Sequence, residues 1–298
     1  MREPQATTVT GLLDRHAGML LDVYGVLFDA RGPLPGAAEL IAELERRGTP
    51  YRIVTNDASR SQATYAARFA RHQIALAPER FCTSGSLLPG YFAAHALGGA
   101  RTLVLGTADS IAFVREGGGV PVALAADLAT LDTLDTLDTL DTFDTIDAIA
   151  VCDDSGFDFL RGIEQALGAI VRSVDAGAPP ALILPNPDLV YPKGGGELGF
   201  TAGAIALLLE AALARRFPGA NLRFTHLGKP EPHLFRAAAQ QLELPTDQLV
   251  MIGDTLETDI AGAHTAGCAG ALLAGVSSWH HARATSTIIP DYLLAGLG

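Results

Sequence analysis

The stretch Leu20-Leu21-Asp22-Val23-Tyr24-Gly25-Val26-Leu27-Phe28 constrains the fold more than any other part of the chain. A short apolar run ends in an aspartate, and a glycine follows where the backbone has to turn. This pattern fits a buried strand that hands a carboxylate to the carboxyl edge of an open α/β sheet, where such sheets place their reactive groups. The next residues complete a repeating unit. Over residues 36–48, Ala37, Leu40, Ile41 and Leu44 keep helical spacing, acidic residues precede basic ones, and Gly48 supplies a stop. Tyr51-Arg52-Ile53-Val54 reads as the next strand and ends at Thr55-Asn56-Asp57. A strand, helix, strand unit implies parallel pairing through a right-handed crossover.

The same alternation runs on through most of the 298 residues. Helices are expected over residues 59–72, 110–115, 157–171 and 201–216, and strands over 101–106, 148–151 and 181–184, the last ending in Pro185-Asn186-Pro187-Asp188. The glycine run 194–196 precedes the helix at 201. Lys229-Pro230-Glu231-Pro232 is expected to open a helix through Leu242, with its prolines in the first turn, where a missing N–H costs nothing. A strand over 248–252 then ends at Gly253-Asp254, a helix follows over 258–266, stopped by Gly267, and residues 271–274 form a further strand.

One stretch breaks this pattern. Residues 130–147 are a near-perfect Thr-Leu-Asp repeat, drifting to Thr-Phe-Asp and Thr-Ile-Asp. A period of three matches neither a helix nor a strand, so its apolar positions would spiral around a helix by about 60° per repeat. Its regularly spaced aspartates suggest a cation site, but no glycine bends the run as a calcium loop requires. It reads as a solvated expansion between two elements.

The bulk numbers exclude several classes of function. A composition of 48% hydrophobic and 18% charged residues is that of a globular protein with a full core. A formal net charge of -12 argues against nucleic-acid or anionic-membrane partners, while leaving room for a locally positive site that takes a small anion. Cys82, Cys152 and Cys268 are odd in number and form no C-x-x-C pair, as expected of reduced thiols in a cytoplasmic protein. No basic segment followed by an apolar one opens the chain, so no signal peptide is expected, and the most apolar run, 204–214, is too short to span a bilayer.

Three polar clusters each follow an expected strand: Asp22-Val23-Tyr24-Gly25, Thr55-Asn56, and Gly253-Asp254-Thr255-Leu256-Glu257-Thr258-Asp259. In a parallel sheet they converge on one edge, where Lys229 joins them just before a helix. Together they supply a carboxylate nucleophile, further carboxylates for a hard cation, a hydroxyl with backbone N–H groups for an anion, and a positive charge. Phosphoryl transfer with Mg2+ needs these parts. Each has a plainer reading when taken alone: Asp22 as a turn former, Thr55 as a helix cap, Lys229 as a surface lysine, Glu257 as a solvated helix residue, and Asn186 and Asp188 as shapers of a Pro-rich turn. His226 and His233 flank Lys229 and read as structural, and Trp279, His280 and His281 carry no signal.

The combination resembles the haloacid dehalogenase superfamily, whose sequence motifs match in order across nearly the whole chain outside the repeat. Within it, Thr55-Asn56, Gly228-Lys229-Pro230, the Gly-Asp-x-x-x-Thr-Asp pattern of residues 253–259 and Asn186-Pro187-Asp188 resemble subfamily IIA. That branch holds capped sugar-phosphate, nucleotide and 4-nitrophenyl phosphatases. The resemblance implies a Rossmann-like, doubly wound parallel-sheet core from residues 1–82 and 223–298, with an α/β cap inserted over 83–222. It implies Asp22 as the nucleophile that forms an aspartyl phosphate, and Thr55, Asn56 and Lys229 on the phosphate. Mg2+ would be held by Asp22, the backbone carbonyl of Tyr24 and Asp254, with Asp259 as a further ligand or as a group that orients water or Lys229. Asn186 and Asp188 of the cap would face a small phosphorylated substrate, and caps of this kind often mediate homodimers.

The match departs at Tyr24, where most phosphatases of the superfamily have the aspartate that protonates the leaving group and activates water. A phenol, with an ordinary pKa of about 10, is a poor general base at neutral pH, and losing acid–base catalysis costs about 10²- to 10⁴-fold. Weak turnover, or turnover restricted to good leaving groups, is therefore expected. Asp-x-Tyr also resembles the metal-independent dehalogenases of 2-haloacids, but Asp254 and Asp259 would then leave uncompensated negative charge beside Asp22. A relative that binds a phosphorylated ligand without turnover is the remaining alternative.

Overall fold

The computed structural model describes residues 3–122, 124, 145–194, 197–274 and 286–298. The Thr-Leu-Asp repeat falls outside the described residues up to its last triplet, Thr145-Ile146-Asp147, as do Trp279, His280 and His281. In chain order the strands are β1 (Gln5–Thr7), β2 (Gly18–Leu21), the short pair β3 (Phe28–Asp29) and β4 (Gly32–Pro33), β5 (Tyr51–Thr55) and β6 (Phe81–Thr83). They continue as β7 (Arg101–Leu105), β8 (Val120–Val122), β9 (Ala148–Val151), β10 (Ala181–Leu184), β11 (Val190–Gly194), β12 (Glu197–Phe200) and β13 (Thr225–His226). The chain closes with β14 (Leu249–Gly253), β15 (Ala269–Leu273) and β16 (Tyr292–Leu294).

Both ends of the chain build one seven-stranded parallel sheet in the order β1-β16-β15-β14-β2-β5-β6. Helices cover both faces, because side chains alternate along each strand. Met19, Leu21, Ile53, Val250 and Ile252 pack with Leu40, Ile41 and Leu44 of the helix Ala37–Arg47 and with Tyr65 and Phe69 of the helix Gln62–Ala70. Leu20, Val54, Leu249 and Met251 face the other way, onto Leu234, Phe235 and Ala238 of the helix His233–Leu242. Met19, Leu20 and Leu21 are fully buried. At about 1.5–3 kcal/mol for each such side chain, they anchor the strand that carries Asp22.

The middle of the chain builds the inserted α/β cap around a second parallel sheet, β13-β10-β9-β7-β8. One face, with Leu103, Ile149, Val151, Leu182 and Leu184, packs on the helices Phe159–Asp175 and Ala202–Arg216. The other, with Val104, Ala148, Ala150 and Ile183, packs on Leu88, Phe92, Phe113 and the core residues Ala58 and Leu227. This sheet takes in β13, past residue 222 where the sequence suggests the cap ends.

Hydrogen bonds hold the cap to the core. Thr107 Oγ1 donates to the Ser59 carbonyl at 2.6 Å and Ser110 Oγ to the Ala58 carbonyl at 2.8 Å. The Ser61 N–H and Thr64 hydroxyl both donate to Asp109 Oδ2, at 2.7 and 2.6 Å. Thr107 also caps the helix Ala108–Glu116, so one side chain fixes both the helix start and its docking.

Two helices start later than the sequence suggests. The one expected to open at Lys229 begins at His233, because Glu231 precedes Pro232 and a residue before proline is pushed out of the helical region. The one expected over 258–266 is a π-type turn, Leu256–Ile260, followed by the helix Ala261–Ala266. The three cysteines are buried and unpaired, and no helix among the described residues is long and apolar enough to cross a membrane.

Candidate active site

The adjacent strands β14, β2 and β5 end side by side, and the candidate residues follow them. The Asp22 N–H donates to the Ile252 carbonyl at 3.0 Å, which carries the ladder one step past β2. The backbone turns at Gly25, whose φ of +83° suits glycine. A Cβ there would lie 2.1 Å from Asp254 Oδ2, so the Asp254 carboxylate rests directly on this turn.

The π-type turn brings Asp259 back beneath the end of β14. Its Oδ2 accepts the N–H groups of Asp254 and Thr255, both at 3.2 Å, and its Oδ1 accepts Lys229 Nζ at 2.6 Å. Lys229 Nζ also donates to Asp22 Oδ1 at 2.8 Å. The lysine is 3% exposed, Asp22 8% and Asp259 1%, so the triad is sealed from bulk water. Carboxylate oxygens of Asp22, Asp254 and Asp259 lie within 4.8 Å of one another.

Burial pushes the Asp22 carboxyl well above the usual carboxylate range; Lys229 opposes this, while Asp259 and Asp254 add to it. Burial, reinforced by Asp259, pushes Asp254 up to about 7. Burial alone would lower Lys229, but Asp22 and Asp259 outweigh it and raise its pKa, so it stays charged. Three acidic groups with one ammonium leave an excess of negative charge in a place where charge is costly. A divalent hard cation with oxygen ligands fits this donor set on both charge and ligand type.

Asn56 secures the lysine from the other side. Its Oδ1 accepts the Lys229 N–H at 2.7 Å, and its Nδ2 donates to the Lys229 carbonyl and to Asp188 Oδ1, each at 3.0 Å. These bonds take up the amide expected on the phosphate, and Asn56 acts here as a clamp on Lys229 and on the cap. Gly228 permits the approach, since a Cβ there would lie 2.5 Å from both Asn56 Oδ1 and the Pro185 carbonyl. Thr55 is 2% exposed, and its hydroxyl accepts the Asp57 N–H at 3.3 Å.

In the cap, Asn186 and Asp188 play different parts. Asn186 Oδ1 accepts the Asp188 N–H and its Nδ2 donates to Thr201, both at 3.1 Å, so it shapes the turn. Asp188 reaches the core through Asn56, and burial raises its pKa against the pull of Lys229. His226, His233 and Glu257 are exposed.

The Tyr24 phenol is held by Arg68. The guanidinium donates to its hydroxyl and stacks over the rings of Tyr24 and Phe28, 5.1 and 5.5 Å from their centroids. Asp57 anchors the neighbouring loop. Its Oδ1 accepts Ser59 N–H and Oγ at 2.7 and 2.6 Å, and its Oδ2 accepts Arg60 Nη1 and the Tyr65 hydroxyl, both at 2.5 Å. Neither Arg68 nor Asp57 stood out in the sequence. The polar run after β5 was the only hint of this loop.

Two family models match the chain: one described as haloacid dehalogenase-like hydrolase over residues 19–119, and one described as HAD-hydrolase-like over 226–298. Chronophin of Mus musculus is 28% identical over 292 residues, covering 96% of this chain and 92% of its own length. Glycerol-3-phosphate phosphatase of Gallus gallus is 26% identical, covering 98% and 93%. A possible sugar phosphatase of Cytophaga hutchinsonii shares the fold, with a TM-score of 0.79 at 24% identity over 99% of this chain and 98% of that one. A glycerol phosphate phosphatase of Mycobacterium tuberculosis, solved in complex with magnesium, superposes with a TM-score of 0.74 at 25% identity, covering 96% and 77%.

Proposed function

The chain belongs to the haloacid dehalogenase-like hydrolases, and on that premise we propose that it is a Mg2+-dependent phosphatase of small phosphorylated metabolites acting through an aspartyl phosphate. The observation that carries this reading is the buried lysine bonded at once to Asp22 and Asp259, with the Asp254 carboxylate in the same cluster. Relatives named glycerol-3-phosphate phosphatase and acid sugar phosphatase support the substrate class.

In this reading an Asp22 oxygen attacks phosphorus, a bond forms between them, and the bond from phosphorus to the ester oxygen breaks. Water then attacks the same phosphorus, the bond to Asp22 breaks, and inorganic phosphate leaves. Lys229 opposes the rise in the Asp22 pKa that burial causes and, with Thr55, neutralises phosphoryl oxygens. Asp22, Asp254 and the Tyr24 carbonyl would hold Mg2+, while Asp259, with both oxygens engaged, positions Lys229 and the backbone at Asp254. The bound cation would supply the positive charge that these carboxylates and the transferring phosphoryl group require. The cap shields the reaction from bulk water while leaving room for the attacking molecule.

The expected outcome is turnover of p-nitrophenyl phosphate and of a panel of phosphorylated metabolites, lost in EDTA and restored by added Mg2+. Turnover unaffected by EDTA, or halide release from a 2-haloacid in EDTA, would overturn the reading in favour of metal-independent chemistry.

A further inference from the structure

This phosphatase reading leaves a proton unassigned. The leaving alkoxide must gain one and the attacking water must lose one, yet the residue two places after Asp22 is a tyrosine whose hydroxyl is engaged by Arg68. The cap brings another acid to the same place.

β9 lies between β10 and β7, and all three are parallel, so their carboxyl ends point the same way. The end of β7 docks on Ala58 and Ser59 through Ser110 and Thr107. The turn after β10 docks on Asn56 through Asp188. The loop after β9 therefore hangs between these two anchors, over the stretch that holds Asp57. Its backbone is tied to β7, since the Cys152 and Asp153 N–H groups donate to the Leu105 carbonyl at 2.7 and 3.2 Å. Gly156 closes the loop at φ +90°, where a Cβ would lie 2.4 Å from the Gly106 carbonyl.

We propose that Asp153, delivered by this cap loop, is the catalytic acid and base of the phosphatase reaction, protonating the leaving group and then deprotonating the attacking water. The proposal rests on the phosphatase reading. The Asp153 carboxylate accepts the Ser155 hydroxyl at 2.6 Å and feels the charges of Asp154 on its own loop and Asp57 of the core. On the β11–β12 hairpin, burial and then Asp154, Asp153 and Tyr24 raise the Tyr191 pKa and Arg60 lowers it, so the hairpin lies within electrostatic reach of both the cap loop and the Tyr24 turn. Arg60 and Tyr65 are engaged by Asp57, and Arg68 by Tyr24. Burial first, then Asp154 and Asp57, push Asp153 up to about 6 against the hydroxyl of Ser155. That places it near the value at which one carboxyl both gives and takes a proton efficiently.

In the first step the Asp153 proton passes to the ester oxygen as its bond to phosphorus breaks and the bond from Asp22 forms, releasing a neutral alcohol. In the second, the Asp153 carboxylate takes a proton from water as the water oxygen bonds to phosphorus and the bond to Asp22 breaks. The starting acid is restored, and the net change is ester plus water to alcohol plus phosphate.

The test compares wild type, Asp153→Asn and Asp154→Asn on an alkyl phosphate and on p-nitrophenyl phosphate across pH. Asp153→Asn is expected to lower kcat/KM, which reports the leaving-group step, by about 10²- to 10⁴-fold on the alkyl phosphate, and to lower it far less on p-nitrophenyl phosphate, whose phenolate leaves without a proton. Wild-type activity on the alkyl phosphate is expected to fall as pH rises through about 6, because the acid must be protonated, and that limb disappears in Asp153→Asn. Asp154→Asn keeps the leaving-group ratio and retains the limb, moved to lower pH because one of the groups that raise the Asp153 pKa has lost its charge. Equal losses of kcat/KM on the two esters, or none, would overturn the role of Asp153 and leave the phosphatase reading standing. Failure of wild type to hydrolyse either ester would overturn both.

Discussion

Asp22→Asn removes turnover of every phosphate ester, lowering kcat by roughly 10⁶-fold, as removal of a nucleophile does in other covalent hydrolases. The amide has nearly the same shape as the carboxylate but cannot form the acyl phosphate. The fold survives the change. An amide oxygen still accepts the Lys229 ammonium that lies 2.8 Å from Asp22 Oδ1, and Lys229 keeps its second partner, Asp259, at 2.6 Å. Burial already penalises the Asp22 charge, so losing that charge offsets part of the lost ion pair. Steady-state kinetics with p-nitrophenyl phosphate beside a melting curve separates the two effects: activity at the detection limit with a Tm close to wild type is expected. Residual turnover within tenfold of wild type would mean that another group attacks phosphorus.

Lys229→Met has the largest effect on stability. It leaves Asp22 and Asp259, 8% and 1% exposed, without their shared cation and with Asp254 close by. Removing one partner of a buried ion pair costs about 3–5 kcal/mol, because the remaining charges are buried and uncompensated. The methionine stem fills much of the same volume, so little of the loss is a cavity effect. The Asn56 bonds to the backbone of residue 229 do not depend on its side chain and are kept. Urea unfolding in EDTA is expected to give the full loss, and added Mg2+ to recover part of it by binding the folded carboxylates. Equal stability of variant and wild type in EDTA would mean that Lys229 does not hold the cluster together.

Much of this was legible in the sequence because parallel strands buried on both faces are short, continuous apolar runs. β2, β5, β9, β10 and β14, with the polar residues that end them, stand out for that reason, and so do Asp22, Thr55, Asp254 and Asp259. Gly48 and Gly267 mark helix ends through left-handed backbone, at φ +66° and +88°. β1 and β16, which pair Gln5–Thr7 with Tyr292–Leu294 at opposite ends of the chain, are too short to show a period. The π-type turn at Leu256–Ile260 was read as plain helix because it uses ordinary helix formers, and its shape comes from the bonds that Asp259 makes to Asp254 and Thr255.

The site was less legible wherever two distant segments meet. Asn56 follows a strand end and looks free to bind an anion, but its amide is taken by Lys229, 173 residues away, and by Asp188, 132 residues away. Asp153 sits in an acidic loop with no motif around it. Its interest comes from β9 lying between two strands whose ends dock on the core, a fact of sheet order rather than of sequence. Asn186 looked equally suited to substrate contact or to shaping a turn, and its bonds to Asp188 and Thr201 give it the turn.

The central claim is that Asp22 carries the phosphoryl group during turnover. It is tested most directly by mixing the enzyme with Mg2+ and excess p-nitrophenyl phosphate, quenching in acid within the first turnovers, and weighing the peptides. The account predicts the mass of one phosphoryl group on the peptide that contains Asp22, absent from Asp22→Asn and absent when EDTA is present. Steady turnover by wild type with that peptide unmodified at every quench time, or with the phosphoryl group on another residue, would contradict it.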